Sequence, residues 1–234
     1  MSFFQRAPLQ YATSPHPEHA LIWLHGLGAD GYDFAGFVEA LAGVSKTGLR
    51  FVFPHAPIQP VTLNNGTTMP SWFDLYGTRP EDPQDEFGIR RAREAISGLI
   101  QEQQQRGIPS ERIILGGFSQ GGALALYTAL SGPHRLAATV GLSTYLPLAP
   151  RFGSELRARN KTTPVFLGHG IEDLTLPYDF ALLSHAVLTQ SGVAAELHNY
   201  PLGHSVSAEE IQDLRRFLTN ALAAASLGAD GTSV

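Results

Sequence analysis

Cysteine is absent from the chain, and that absence removes several chemistries at once. A disulfide framework, a thiolate zinc site, a thiol nucleophile and a palmitoyl attachment point are all excluded. A run of about 18 apolar residues, the length a bilayer crossing demands, is also missing. Residues 1–8 lack a basic stretch followed by an apolar one. Together these gaps predict a soluble, cytoplasmic protein with no stable membrane association. Positive charge is scarce too: 16 Lys and Arg stand against 21 Asp and Glu, for a net charge of -5. With no basic stripe to neutralise a row of phosphates, nucleic acid is not expected as a partner.

What is present suits one substantial core. The chain has 234 residues, 43% of them hydrophobic, which predicts a single domain over residues 1–225. Residues 226–234, small and polar, read as a flexible tail. Short apolar runs at 20–24, 49–53, 112–116, 136–142, 164–167 and 195–200 alternate with segments of helical period. That alternation predicts an α/β architecture, a mostly parallel central sheet with helices on both faces. Ile89, Ala92, Ile96, Leu99 and Ile100 mark one face of a helix that Gly107 and Pro109 end. Leu182, Leu183, Ala186 and Val187 mark another. Ser207 and Glu210 form an S-x-x-E capping box opening a last helix with Ile211, Leu214, Leu218 and Leu222. Residues 54–83 contain six prolines, three aromatic residues and no clear period, so they read as a long irregular loop, either a binding wall or a solvated excursion.

Gly117-Phe118-Ser119-Gln120-Gly121 is a G-x-S-x-G sequence between a predicted strand and a predicted helix. A serine at such a sharp turn adopts strained backbone angles, and its neighbours two residues away crowd each other unless they are glycine. In α/β-hydrolases an acid and then a histidine follow that serine along the chain, each after a strand. Asp173 follows the run at 164–167, and His204 follows the run at 195–200. Of nine histidines, only His204 comes after the last predicted strand. Glu172 and Asp179 compete with Asp173 for the acid position. Adjacent side chains on an extended segment point in opposite directions, so only one of Glu172 and Asp173 can face the imidazole. Asp179 falls in the first turn of the next helix, where a carboxylate already has a structural reason to be.

With these residues in place, the chain resembles the phospholipase and carboxylesterase family, which includes bacterial carboxylesterases and eukaryotic acyl-protein thioesterases. The matching stretches are LIWLHGLGADGYDF (21–34), FPHAP (53–57), MPSWFD (69–74), GGFSQGGALAL (116–126), HGIEDLTLP (169–177) and GHS (203–205). The resemblance implies an α/β-hydrolase fold with no separate cap domain. It also puts the catalytic acid on Asp173 and makes the loop His25-Gly26-Leu27-Gly28 half of an oxyanion hole, with the Leu27 and Gln120 N–H groups as donors. The absence of cysteine draws the likeness toward the bacterial carboxylesterases.

The expected activity is that of a serine carboxylesterase on short- to medium-chain acyl esters, working through Ser119, His204 and Asp173 without metal or organic cofactor. An acyl-protein thioesterase or lysophospholipase is the alternative, and a ligand-binding receptor on the same fold is the non-enzymatic one. The partner is a small acyl ester or thioester, and the assembly a monomer or homodimer. Leu27, Met69, Trp72, Phe73, Leu146, Leu174 and Leu176 are the candidates for the acyl pocket, being apolar and close to the catalytic edge. Residues 63–76 are expected to overhang the serine.

Overall fold

Ala20, Ile22 and Leu24 alternate along the chain with Leu21 and Trp23, and all five are buried. A strand covered on both faces belongs inside a sheet flanked by two helical layers. In the computed structural model, which describes residues 3–77, 79 and 81–229, this strand is β2 (His19–Leu24). Around it lie β1 (Leu9–Ala12), β3 (Leu49–Phe53), β6 (Ile113–Phe118), β7 (Ala138–Leu142), β8 (Val165–Gly170) and β9 (Ala195–Tyr200), in the order β1-β3-β2-β6-β7-β8-β9. All neighbours pair in parallel except β1, which runs antiparallel to β3.

The two faces are filled by different helices. Ala20, Ile22 and Leu24 pack with α2 (Glu86–Gln105) and α3 (Gln120–Ser131), while Leu21 and Trp23 pack with α1 (Phe37–Leu41) and α6 (Ala208–Ala229). A third cluster joins α3, the short α4 (Phe152–Glu155) and α5 (Asp179–Gln190) to Val165 and Leu167 of β8. This is the layered α/β fold expected from the alternating runs, and no separate cap domain is present among the described residues. None of the described helices is long and apolar enough to cross a membrane.

Several local expectations need correction. Residues 54–83 are not wholly irregular: β4 (Ile58–Val61) and β5 (Thr67–Pro70) form an antiparallel hairpin outside the main sheet. Each strand is four residues long and carries a proline, which cannot donate to a ladder, so neither looks like a strand until its partner is found. The edge strand β1 was concealed in the same way, being short and largely exposed. The helix α6 continues through Ala229, four residues into the segment read as a tail, and residues 230–234 lie outside the described residues. Its capping box closes on one side only. Ser207 Oγ accepts from the Glu210 N–H at 3.1 Å, while the Glu210 carboxyl turns inward against Gly168 of β8.

Candidate active site

Strand β6 ends and α3 begins at one residue, Ser119, whose backbone sits at φ 54 and ψ -123. A positive φ on a non-glycine residue is strained and persists only where surrounding structure enforces it. Here the Ser119 N–H donates to Leu142 O at 2.9 Å, and its carbonyl accepts from Thr144 Oγ1 at 2.6 Å. The flanking glycines are steric requirements: a Cβ on Gly117 would lie 2.5 Å from the Gly121 backbone, and one on Gly121 would lie 2.3 Å from Leu24 O. The turn lifts the Ser119 hydroxyl to the C-terminal edge of the sheet, where open α/β sheets bind their ligands.

Two further strand ends deliver the partners. The loop after β8 carries Asp173 and the loop after β9 carries His204. His204 Nε2 lies 3.0 Å from Ser119 Oγ, and His204 Nδ1 lies 2.6 Å from Asp173 Oδ2. With the proton on Nδ1 donated to the carboxylate, Nε2 is left as acceptor for the serine hydroxyl. Asp173 is itself held, its Oδ1 accepting from the Thr175 and Leu176 N–H groups at 2.9 and 2.8 Å. The Phe118 ring packs on His204 with centroids 4.8 Å apart. The competing acids are elsewhere: Glu172 and Asp179 are both exposed.

A second imidazole, His169, adjoins the acid. Its Nε2 is 2.8 Å from Leu176 O and 3.4 Å from Asp173 Oδ2, and the side chain is almost fully buried. Burial is the main cause holding its pKa below the usual value, so the ring is neutral near pH 7. Chain order ruled His169 out as a base and gave no hint of this supporting place.

Beside the serine, the Leu27 N–H and the Gln120 N–H make no hydrogen bond among the described residues. Gln120 is the first residue of α3, where N–H groups have no intrahelical acceptor. The loop bearing Leu27 is braced by His25, whose Nδ1 pairs with Gly26 O at 2.8 Å and whose Nε2 accepts from the Ala56 N–H at 3.0 Å. Burial lowers the pKa of His25 and keeps it neutral.

A cavity of about 700 Å³ opens over Ser119 and His204. Of the residues expected to line it, Leu27, Phe73, Leu146 and Leu176 do. Met69, Trp72 and Leu174 do not. Trp72 is 1% exposed and packed in the core, its Nε1 donating to His25 O at 2.8 Å. Met69 sits on the hairpin, its sulfur accepting from Asn64 Nδ2 at 3.3 Å. Leu174 is 95% exposed and points to solvent. In residues 63–76 the wall comes instead from Leu63, Phe73, Leu75 and Tyr76. Sequence reasoning also missed α5, which contributes Phe180, Leu183 and Val187. The apolar pair Leu183 and Val187 was visible as a helix face, but nothing in the period said that this face meets a cavity. No group of three or more His, Asp or Glu side chains among the described residues is arranged to hold a metal ion.

Comparison with known proteins bears on the family. The family described as Phospholipase/Carboxylesterase matches residues 10–222. Acyl-protein thioesterase 1 of Neurospora crassa is 35% identical over 231 residues, covering 94% of both chains. Among solved structures, Arabidopsis thaliana SOBER1 is 30% identical with a TM-score of 0.83, covering 87% of this chain and 99% of its own. Zea mays acyl-protein thioesterase 2 is 27% identical with a TM-score of 0.81, covering 92% and 99%. A match through almost the whole chain, on a sheet with a serine at the β6–α3 turn, assigns this protein to the phospholipase/carboxylesterase family of α/β-hydrolases and makes it a hydrolase.

Proposed function

We propose that the protein hydrolyses acyl thioesters and acyl esters by a serine mechanism in which Ser119 is the nucleophile, His204 the general base and acid, and Asp173 the group that orients the imidazole. The observation that carries this reading is the unbroken relay of 3.0 and 2.6 Å from Ser119 Oγ through His204 to Asp173. As Ser119 Oγ attacks the acyl carbonyl carbon, its proton passes to His204 Nε2, and Asp173 stabilises the resulting imidazolium. The carbonyl oxygen becomes an oxyanion for which the Leu27 and Gln120 N–H groups are donors, each worth roughly 3 kcal/mol in comparable sites. When the tetrahedral species collapses, the thiol or alcohol leaves with the proton from His204. Water then repeats the attack on the acyl-enzyme, with His204 again as base, and frees the carboxylic acid.

The thioester reading now stands ahead of the plain carboxylesterase one, because the N. crassa relative bears the thioesterase name despite the lack of cysteine here. The apolar wall of Leu63, Phe73, Leu75, Leu176, Phe180 and Leu183 suits a flexible hydrocarbon chain more than a polar acyl group. A purely ligand-binding role has less support, since a receptor has no use for an intact relay or a strained serine. Ser119→Ala and His204→Ala are each expected to lower kcat by about 10⁴ or more on acyl thioesters of graded length while melting like the parent. A fluorophosphonate should label Ser119 alone. Near-normal turnover by folded Ser119→Ala protein, or stoichiometric labelling at any other serine, would sink the assignment.

A further inference from the structure

Gln120 has two ends in different surroundings. Its backbone opens α3 beside Ser119, whereas its carboxamide is buried, the residue being 3% exposed, against residues 71–73. Gln120 Oε1 accepts from the Trp72 N–H at 3.0 Å, and Gln120 Nε2 donates to Phe73 O at 2.7 Å and to Ser71 Oγ at 3.0 Å. Ser71 Oγ in turn donates to Phe73 O at 2.6 Å. Residues 71–73 belong to no helix or strand, so these bonds take the place of a ladder in setting their shape.

The same short segment reaches the other side of the site. Trp72 Nε1 donates to His25 O at 2.8 Å, and the Gly28 N–H donates to Pro70 O at 2.9 Å. One bond anchors the peptide before the loop of Leu27 and the other anchors the peptide after it. Phe73, meanwhile, lines the cavity. Both N–H groups assigned to the oxyanion and one wall of the acyl site are thus tied to one stretch of four residues, 70–73.

We propose that the Gln120 side chain is a positioning group, a clasp that joins the nucleophile turn, the Leu27 loop and the Phe73 wall into one rigid unit and so fixes the spacing of the two oxyanion donors. The proposal rests on the serine-hydrolase reading given above. Oxyanion donors act only when held at the position the oxygen occupies in the tetrahedral state. Loosening the clasp therefore weakens the transition state more than the bound substrate, and the loss appears in kcat.

Gln120→Met keeps a similar volume and removes every carboxamide bond. Its kcat on an acyl thioester is expected to fall roughly 30-fold with KM changed less than about threefold, and the Ki of an acyl trifluoromethyl ketone to rise by the same factor as kcat falls. Gln120→Glu supplies a second arm should the Met variant fail to fold. When ionised, its carboxylate meets Phe73 O acceptor to acceptor. When protonated, it again presents one donor and one acceptor, so its kcat relative to the parent should recover as pH falls. Unchanged kcat and Ki, a loss confined to KM, or a lowered melting temperature alone would overturn the proposal and leave the clasp as packing. Fluorophosphonate labelling of Ser119 in the same variants, with Ser119→Ala as the inactive reference, separates that result from failure of the nucleophile assignment.

Discussion

Chemistry at single positions depends on orientation as much as on residue type. Glu172 and Asp173 are neighbours with the same functional group, yet Glu172 is exposed and Asp173 is buried with its oxygens on His204 and on two backbone N–H groups. Asp173→Asn would present an amide to Nδ1 and favour the wrong tautomer, so kcat is expected to fall by about 10⁴. Glu172→Gln should stay within about twofold, as surface substitutions do. Steady-state rates on one acyl thioester check both, and a larger effect at Glu172 would mean that the register of the acid loop is off by one. Chain order singled out Asp173 and His204, and the structure brings their side chains to 2.6 Å. The order could not reveal that His169 buttresses the acid, because a buried histidine with a backbone partner looks the same in sequence as one packed anywhere else.

Among the elements, α5 and residues 73–76 both contribute to the cavity wall. Phe180, Leu183 and Ser184 of α5 all line the cavity, Phe180 and Ser184 as buried side chains and Leu183 as one that is 52% exposed. Trp72 and Phe73 are both buried in the same core cluster, but Trp72 sets its indole N–H on His25 O whereas Phe73 also lines the cavity. Leu183→Ala is therefore expected to shift kcat/KM between short and medium acyl chains by about 10-fold, since one or two methylenes of apolar contact carry about 1–3 kcal/mol. Trp72→Phe should instead lower stability by about 1–3 kcal/mol by leaving a buried carbonyl unpaired, and scale all chain lengths alike. Rates across a graded series, with melting curves for both variants, distinguish a wall from a strut. Equal scaling in Leu183→Ala would remove α5 from the acyl site.

The stability of the whole molecule carries the mark of a carboxyl that the chemistry does not use. Glu210 is 1% exposed, its oxygens lie against Gly168 without a hydrogen bond, and burial raises its pKa from 4.5 to about 7. The nearby Ser207 N–H opposes that rise and Asp213 adds to it. Because the folded state holds this proton more tightly than the unfolded chain, its contribution is complete below about pH 4.5 and is lost as pH climbs through about 7. Glu210→Gln, neutral throughout, should gain roughly 2–3 kcal/mol relative to the parent between pH 5 and pH 8. Denaturant unfolding at the two pH values tests this, and parallel losses in both proteins would refute it.

By itself the sequence determined the alternating strands and helices, the glycine-flanked serine and the order of acid and histidine. Such features are written in local sterics, in period and in position along one chain. Tertiary structure alone decided that β1 and the hairpin exist, that Leu176 rather than Leu174 meets the cavity, and that Phe73 rather than Trp72 forms its wall. Periodicity tells which side chains share a face of an element. What that face meets, whether core, cavity or water, is settled only when other elements, distant in sequence, pack against it.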